Sequence, residues 1–439
     1  MTDVLLAHAF FLAHDAKQQE KMRPYPPLGT LFAAASLRAR GHRVALFDAT
    51  FAAEADFAAA LDRHRPRRVV LYEDSFHFLS KMCLLHAREA ACRMAGLARR
   101  HGATVLAAGA DVTDHPRPFL DAGVDWCLLG EADHSLVEAL AALDGGGDPR
   151  AVPGVAWADA AAEGGVATAP ARLPERDPDV FGAPAWDLVE AAPYRRAWSA
   201  RHGRFSLNMV TTRGCPYRCN WCAKPIWGRR YAMRSPAAVA EEMARLRELH
   251  APDHLWFADD IFGLKPSWVA DFGREVEERG ARLPFTIQSR VDLMTPAAVA
   301  GLARAGCEEV WLGVESGSQR ILDAMEKGIE VDEVPAARRR LAGAGIRASF
   351  FLQLGYPGET WEDVAATVEL VRRTLPDDVG VSVSYPLPGT RFHAMVAAEL
   401  GARDHWLESN DLAMMFRGTY TTAFYRRLHD FLHRDLAAR

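Results

Sequence analysis

One phrase recurs along the chain: an amphipathic helix, a glycine just beyond its last turn, then a short β-rich apolar run. A glycine there supplies the left-handed cap that side chains with a Cβ resist. The phrase occurs as Arg40-Gly41-His-Arg-Val-Ala-Leu-Phe, His101-Gly102-Ala-Thr-Val-Leu and Ala122-Gly123-Val-Asp-Trp-Cys-Leu-Leu. With Val4-Leu-Leu-Ala and Arg68-Val-Val-Leu-Tyr, these runs predict five strands alternating with helices. Parallel neighbours need crossover helices, so the alternation predicts a mostly parallel α/β sheet.

The first domain is thus expected to be Rossmann-like and to span residues 1–145. The texture changes at Gly145-Gly-Gly, and residues 146–204 are rich in Pro, Ala and Gly, with short strand candidates such as Gly154-Val-Ala-Trp157. They predict an ordered connector that wraps the surface. From Ser206 the phrase returns, with strand candidates at Leu207–Thr212, His254–Ala258, Pro284–Ser289, Glu309–Val314, Ala348–Leu354 and Gly380–Tyr385. The helices between them end at Gly280, Gly306 and Gly345. Six βα units over residues 205–390 are too few for a closed eight-fold barrel. Residues 391–439 form a helical tail in which Phe424, Leu428, Phe431, Leu432 and Leu436 share one face.

Composition narrows the class without changing this picture. A chain of 439 residues with 49% hydrophobic and 25% charged residues suits a protein of two or three domains with substantial cores. A net charge of −5 gives no electrostatic footprint for nucleic acid. The apolar stretch Val4–Ala13 is too short to cross a bilayer and lacks the basic start of a signal peptide. A cytoplasmic monomer is the expectation, with no membrane or nucleic-acid partner.

The chemistry concentrates in Cys215-Pro-Tyr-Arg-Cys219-Asn-Trp-Cys222. Three thiolates at this spacing on one loop can ligate three corners of a cubane iron–sulfur cluster, leaving one iron open. An electron-transfer cluster normally has every iron held by Cys, so an open iron points to reaction chemistry. A structural zinc site wants four closed ligands, and the one later cysteine, Cys307, is far downstream. Seven cysteines, an odd number, fit a disulfide framework poorly. Cys83, Cys92, Cys127 and Cys307 read as small buried apolar side chains. His429 and His433, at i and i+4 in the tail, read as solvated helix histidines, and Arg338-Arg-Arg340 as the polar side of a helix.

On the cysteine spacing, with Trp221 just before the third Cys and Thr211-Thr-Arg-Gly214 ahead of the loop, the chain resembles the radical S-adenosylmethionine (SAM) superfamily. The resemblance implies a partial (β/α)6 barrel, a [4Fe–4S] cluster held by Cys215, Cys219 and Cys222, and SAM chelating the open iron. Parallel barrels gather their chemistry at the C-terminal strand ends, where this chain carries Asp259-Asp260, Gln288-Ser-Arg290, Glu315-Ser316 and Gly355-Tyr-Pro-Gly-Glu359. By resemblance, Asp259 or Asp260 meets the SAM ammonium, Arg290 pairs with its carboxylate and Glu315 accepts from the ribose. Gly355 and Gly358 let backbone approach the adenine, while Trp221 and Tyr217 flank the cluster or the adenine. As residues alone, Asp259, Glu315 and Ser316 would serve equally as helix caps or first-turn acids.

A Rossmann-like domain ahead of such a barrel resembles the cobalamin-binding class of the superfamily. The segments that carry this are Tyr25-Pro-Pro27-Leu28-Gly29-Thr30, Gly109-Ala-Asp-Val-Thr113 and Gly130-Glu131, expected to cradle the corrin and its nucleotide tail. A large residue at Gly29 should cost cobalamin. The Asp-x-His-x-x-Gly motif of the wider cobalamin family is missing, Asp62-Arg-His64 being its nearest echo, so the cobalt is expected to lack a protein histidine. The resemblance implies a cobalamin-dependent methyltransferase acting on an unactivated carbon of a small metabolite or natural-product intermediate, with oxidative cyclisation or rearrangement as the alternative. A flavodoxin or ferredoxin is the implied reductant. Tyr385, Arg391 and Tyr420 are candidates to meet the substrate.

Overall fold

The computed structural model describes residues 2–76, 84–401 and 412–439. Cys83 and residues 402–411 of the expected tail lie outside the described residues. The chain divides into two compact units, one built mainly from residues 1–208 and the other mainly from residue 209 onward, with Lys224–Met233 counted in the first.

The first unit holds a seven-stranded sheet. Its strands are β1 (Val4–Ala7), β2 (Val44–Phe47), β3 (Arg68–Tyr72), β4 (Thr104–Ala108), β5 (Trp126–Leu128), β6 (Val155–Ala158) and β7 (Val166–Thr168). Their spatial order is β2-β1-β3-β4-β5-β6-β7. The first five run parallel, while β6 and β7 add on antiparallel. Part of the segment expected as a connector therefore extends this sheet. Successive strand residues face opposite sides, and the two cores divide accordingly. Leu5, Ala7, Val69, Leu71, Val105 and Ala107 join one core, and Val4, Leu6, Val70, Tyr72, Leu106 and Ala108 the other. The strand order reverses between β1 and β3, which is where doubly wound sheets open a crevice for ligands.

The second sheet uses β8 (Ser206–Met209), β11 (His254–Phe257), β12 (Phe285–Ser289), β13 (Cys307–Glu315), β14 (Arg347–Leu354) and β15 (Val379–Val383). The two-residue strands β9 (Thr212–Arg213) and β10 (Ala232–Met233) lie outside it. Its strands follow one another in sequence order, and β11 to β15 pair in parallel throughout. Six strands in this order, joined by helices, make the open half-barrel that the family resemblance implies. In the tail, the helix Thr422–Ala437 buries Tyr425, Leu428 and Leu432. Phe431, expected on the buried face, is 40% exposed, with the Arg372 guanidinium 5.7 Å from its ring centre.

Candidate active site

The cysteine loop leaves β9 through Gly214, whose φ of 78° lies in the left-handed region. Cys215, Cys219 and Cys222 are all half-buried on this loop and none is in a disulfide. Among the described residues no three His, Cys, Asp or Glu side chains converge to hold a single metal ion. A cubane does not require such convergence, because each thiolate takes a different iron. Two cations face the aromatic residues of the loop. The Arg290 guanidinium lies 3.7 Å from the centre of the Tyr217 ring, and the Lys327 ammonium 6.0 Å from that of Trp221. The buried Trp221 Nε1 has no hydrogen-bond partner among the described residues. Three accessible soft ligands beside an unsatisfied donor fit a cluster site.

The polar residues expected to hold SAM are engaged inside the barrel. Asp259 accepts from Thr211 N (2.7 Å), Thr211 Oγ1 (2.8 Å), Thr212 N (2.7 Å) and Thr212 Oγ1 (2.9 Å). Three of these donors converge on Oδ1 and one on Oδ2. Burial nonetheless outweighs these hydrogen bonds and pushes its pKa up to about 6. Asp260, its neighbour, is half-buried. Gln288 donates to the Asp259 carbonyl at 2.8 Å. Arg290 is bound to Asp292 (2.9 Å) and to the carbonyls of Lys327 and Gly328 (both 2.8 Å).

Glu315 sits at φ 64°, beside a register shift in β13, and accepts from Lys327 Nζ at 2.7 Å in a buried ion pair. Ser316 accepts from the Ser318 amide and meets Thr367. Gly358 accepts from Arg320. The space where Gly355 would carry a Cβ faces Met414 Sδ at 2.9 Å, so the tail covers it. Of the substrate candidates, Arg391 is paired with Glu326. Tyr420 stacks on Phe424 at 4.3 Å, and Tyr385 follows β15. His433 stands 4.5 Å from His429, ring centre to ring centre.

In the first unit, a cavity of about 60 Å³ lies at the β1/β3 crevice. Tyr25 and Pro27 line it, together with His8, Glu73, Asp74 and Asp111, which sequence reasoning did not single out. Burial alone would lower the His8 pKa, but Asp48 at 3.0 Å, aided by Glu73 and Asp74, raises it instead. Burial pushes the pKa of the Glu73 carboxyl up to about 7 and that of the Tyr25 phenol to about 12. The amides of Leu28 and Gly29, opening the helix Leu28–Arg38, donate to Asp74 at 3.3 and 2.9 Å. A Cβ on Gly29 would stand 3.1 Å from Asp74 and 3.2 Å from the Ser75 amide. A tryptophan there would therefore disturb this helix start as well as any ligand.

Gly109, at φ 141°, packs on Glu73, and Thr113 Oγ1 accepts from the Gly130 amide at 3.0 Å. Glu131 ties two segments, accepting from Glu175 N at 2.6 Å and Trp227 Nε1 at 3.1 Å. Of the other cysteines, Cys127 and Cys307 are buried and Cys92 half-buried, and burial raises the pKa of each.

Residues 209–371 match the family described as the Radical SAM superfamily. An uncharacterised methyltransferase of Pyrococcus horikoshii is 28% identical over 269 residues, covering 61% of this chain and 57% of its own length. The chain thus spans little more than half of that relative. The hopanoid C-3 methylase of Methylococcus capsulatus is 27% identical over 393 residues, covering 87% of this chain and 70% of its own. Among solved structures, the radical SAM methyltransferase TsrM of Kitasatospora setae, with cobalamin and a [4Fe–4S] cluster bound, superposes with a TM-score of 0.75. It covers 98% of this chain and 85% of its own at 21% identity, a likeness of fold.

Proposed function

We propose that this chain, whose residues 209–371 form a radical SAM domain, is a cobalamin-dependent radical SAM enzyme that methylates an unactivated carbon of a small metabolite or natural-product intermediate. The observation that carries the reading is the trio of half-buried cysteines, none in a disulfide, on the loop after β9, in a chain whose crevice-bearing first unit precedes the half-barrel. A [4Fe–4S] cluster with SAM supplies reductive cleavage of a sulfonium carbon–sulfur bond, and cobalamin supplies a transferable methyl group.

The residues of the chain do the holding. Cys215, Cys219 and Cys222 ligate iron, with the Tyr217 and Trp221 rings braced by Arg290 and Lys327. Asp260, half-buried, takes the acidic role toward the SAM ammonium, because Asp259 is buried among its threonine donors. The β1/β3 crevice, bordered by His8, Tyr25 and Pro27, receives the corrinoid. Among the described residues no helix is long and apolar enough to cross a membrane. The electron comes from a flavodoxin- or ferredoxin-type carrier.

Anaerobic reconstitution followed by a visible spectrum tests the cofactors, since iron–sulfur and corrinoid bands are distinguishable. Product mass tests the reaction. A gain of one methylene unit supports methyl transfer, while a loss of hydrogens without that gain replaces it by oxidative cyclisation.

A further inference from the structure

The cysteine loop is fastened at one residue that carries no ligand atom. Asn220, between Cys219 and Trp221, is buried, and both its backbone and side-chain polar groups are bonded. Its amide donates to Met325 O at 3.0 Å, and its carbonyl accepts from Phe392 N at 3.0 Å. Its Nδ2 donates to Ala324 O at 2.7 Å and to Tyr356 Oη at 2.9 Å. The single hydroxyl proton of Tyr356 has two acceptors, Ala324 O at 2.9 Å and Asn220 Oδ1 at 3.2 Å. The Tyr356 ring stacks on Phe392 at 5.4 Å and 27°.

Three elements thus meet at one amide. Ala324 and Met325 end the helix Gln319–Ala324, Tyr356 belongs to the loop after β14, and Phe392 opens the tail helix Arg391–Leu400. The same β14 loop is gripped from its other end, where Glu359 Oε2 accepts from Gly355 N at 2.8 Å and from Tyr425 Oη at 3.3 Å. The bond to Phe392 uses the backbone carbonyl of the cysteine loop, so its geometry follows the shape of that loop.

We propose that Asn220 and Tyr356 are positioning residues: they set the cysteine loop against the β14 loop and make docking of the helix Arg391–Leu400 depend on a loaded cysteine loop. The inference rests on the cluster reading above. A loop fixed by ligation at Cys219 and Cys222 holds the Asn220 carbonyl toward Phe392. Ligation thereby tightens a docking contact that the chain already makes.

Hydrogen exchange on the full chain, prepared anaerobically with and without its cluster, tests this. Loading should slow exchange of the 391–400 amides about fivefold or more, the equivalent of one hydrogen bond. Tyr356→Phe keeps the ring stack and should retain iron at the wild-type level. It should lose most of that protection and lower kcat for SAM cleavage about tenfold, with KM changed less than about twofold. Asn220→Ala should do the same more severely. Equal exchange in loaded and cluster-free wild type, or Tyr356→Phe matching wild type in both exchange and kcat, overturns the inference while leaving the cluster reading intact. A wild-type chain that takes up no iron defeats both.

Discussion

Asp259 illustrates how a strand-end carboxylate is spent. Its four threonine donors include two backbone amides, both on Oδ1, which an alanine would leave unpaired in the interior. Asp259→Ala should destabilise the fold by about 1–3 kcal/mol, read from urea unfolding. Glu359 behaves differently. Burial raises its pKa from 4.5 to about 7, so between those values the folded chain holds a proton that the unfolded chain has released. Its contribution to stability is therefore complete at the acid end of this window and falls as pH rises through it. Glu359→Gln should flatten that fall in urea-unfolding series across the window, and an unchanged slope would contradict the assignment. At this scale the cysteines were legible because ligand spacing is local. Asn220, Lys327 and His8 were not, because each acts through partners 12 or more residues away: Tyr356, Glu315 and Asp48.

The strands were legible because each is an apolar run closed by a turn, and their observed limits differ from the predicted ones by a residue or a few. In the connector, Gly154-Val-Ala-Trp157 marked β6 in advance, whereas its pairing with β5 and the short, half-exposed β7 were not legible in composition. In the tail helix the phase slipped toward Phe431, since its ring is more apolar than Tyr425, yet Tyr425 is the one whose hydroxyl has a buried acceptor. The helix Trp361–Thr374 packs against the turn after β13, and a Cβ on Gly317 would collide with the Ala366 carbonyl. Gly317→Ala should therefore cost about 1–3 kcal/mol through overpacking, visible as a lower Tm. A neutral result would mean that the helix shifts freely.

At the scale of the molecule, the alternation of helix and strand was enough to read a parallel first unit and six later βα units, and the family resemblance supplied the open half-barrel. The crevice between β1 and β3 was not readable, because strand order is a property of the folded sheet. Nor were the ionisable groups lining its cavity, which come from three strand ends far apart in sequence. The central claim is that Cys215, Cys219 and Cys222 hold a cluster that reacts with SAM. Its most direct test is the yield of 5′-deoxyadenosine from anaerobically reconstituted, reduced protein supplied with SAM, compared between wild type and Cys219→Ala. The account predicts turnover by the wild type and none by the variant. Equal yields from both, or no cleavage by iron-loaded wild type, would contradict it.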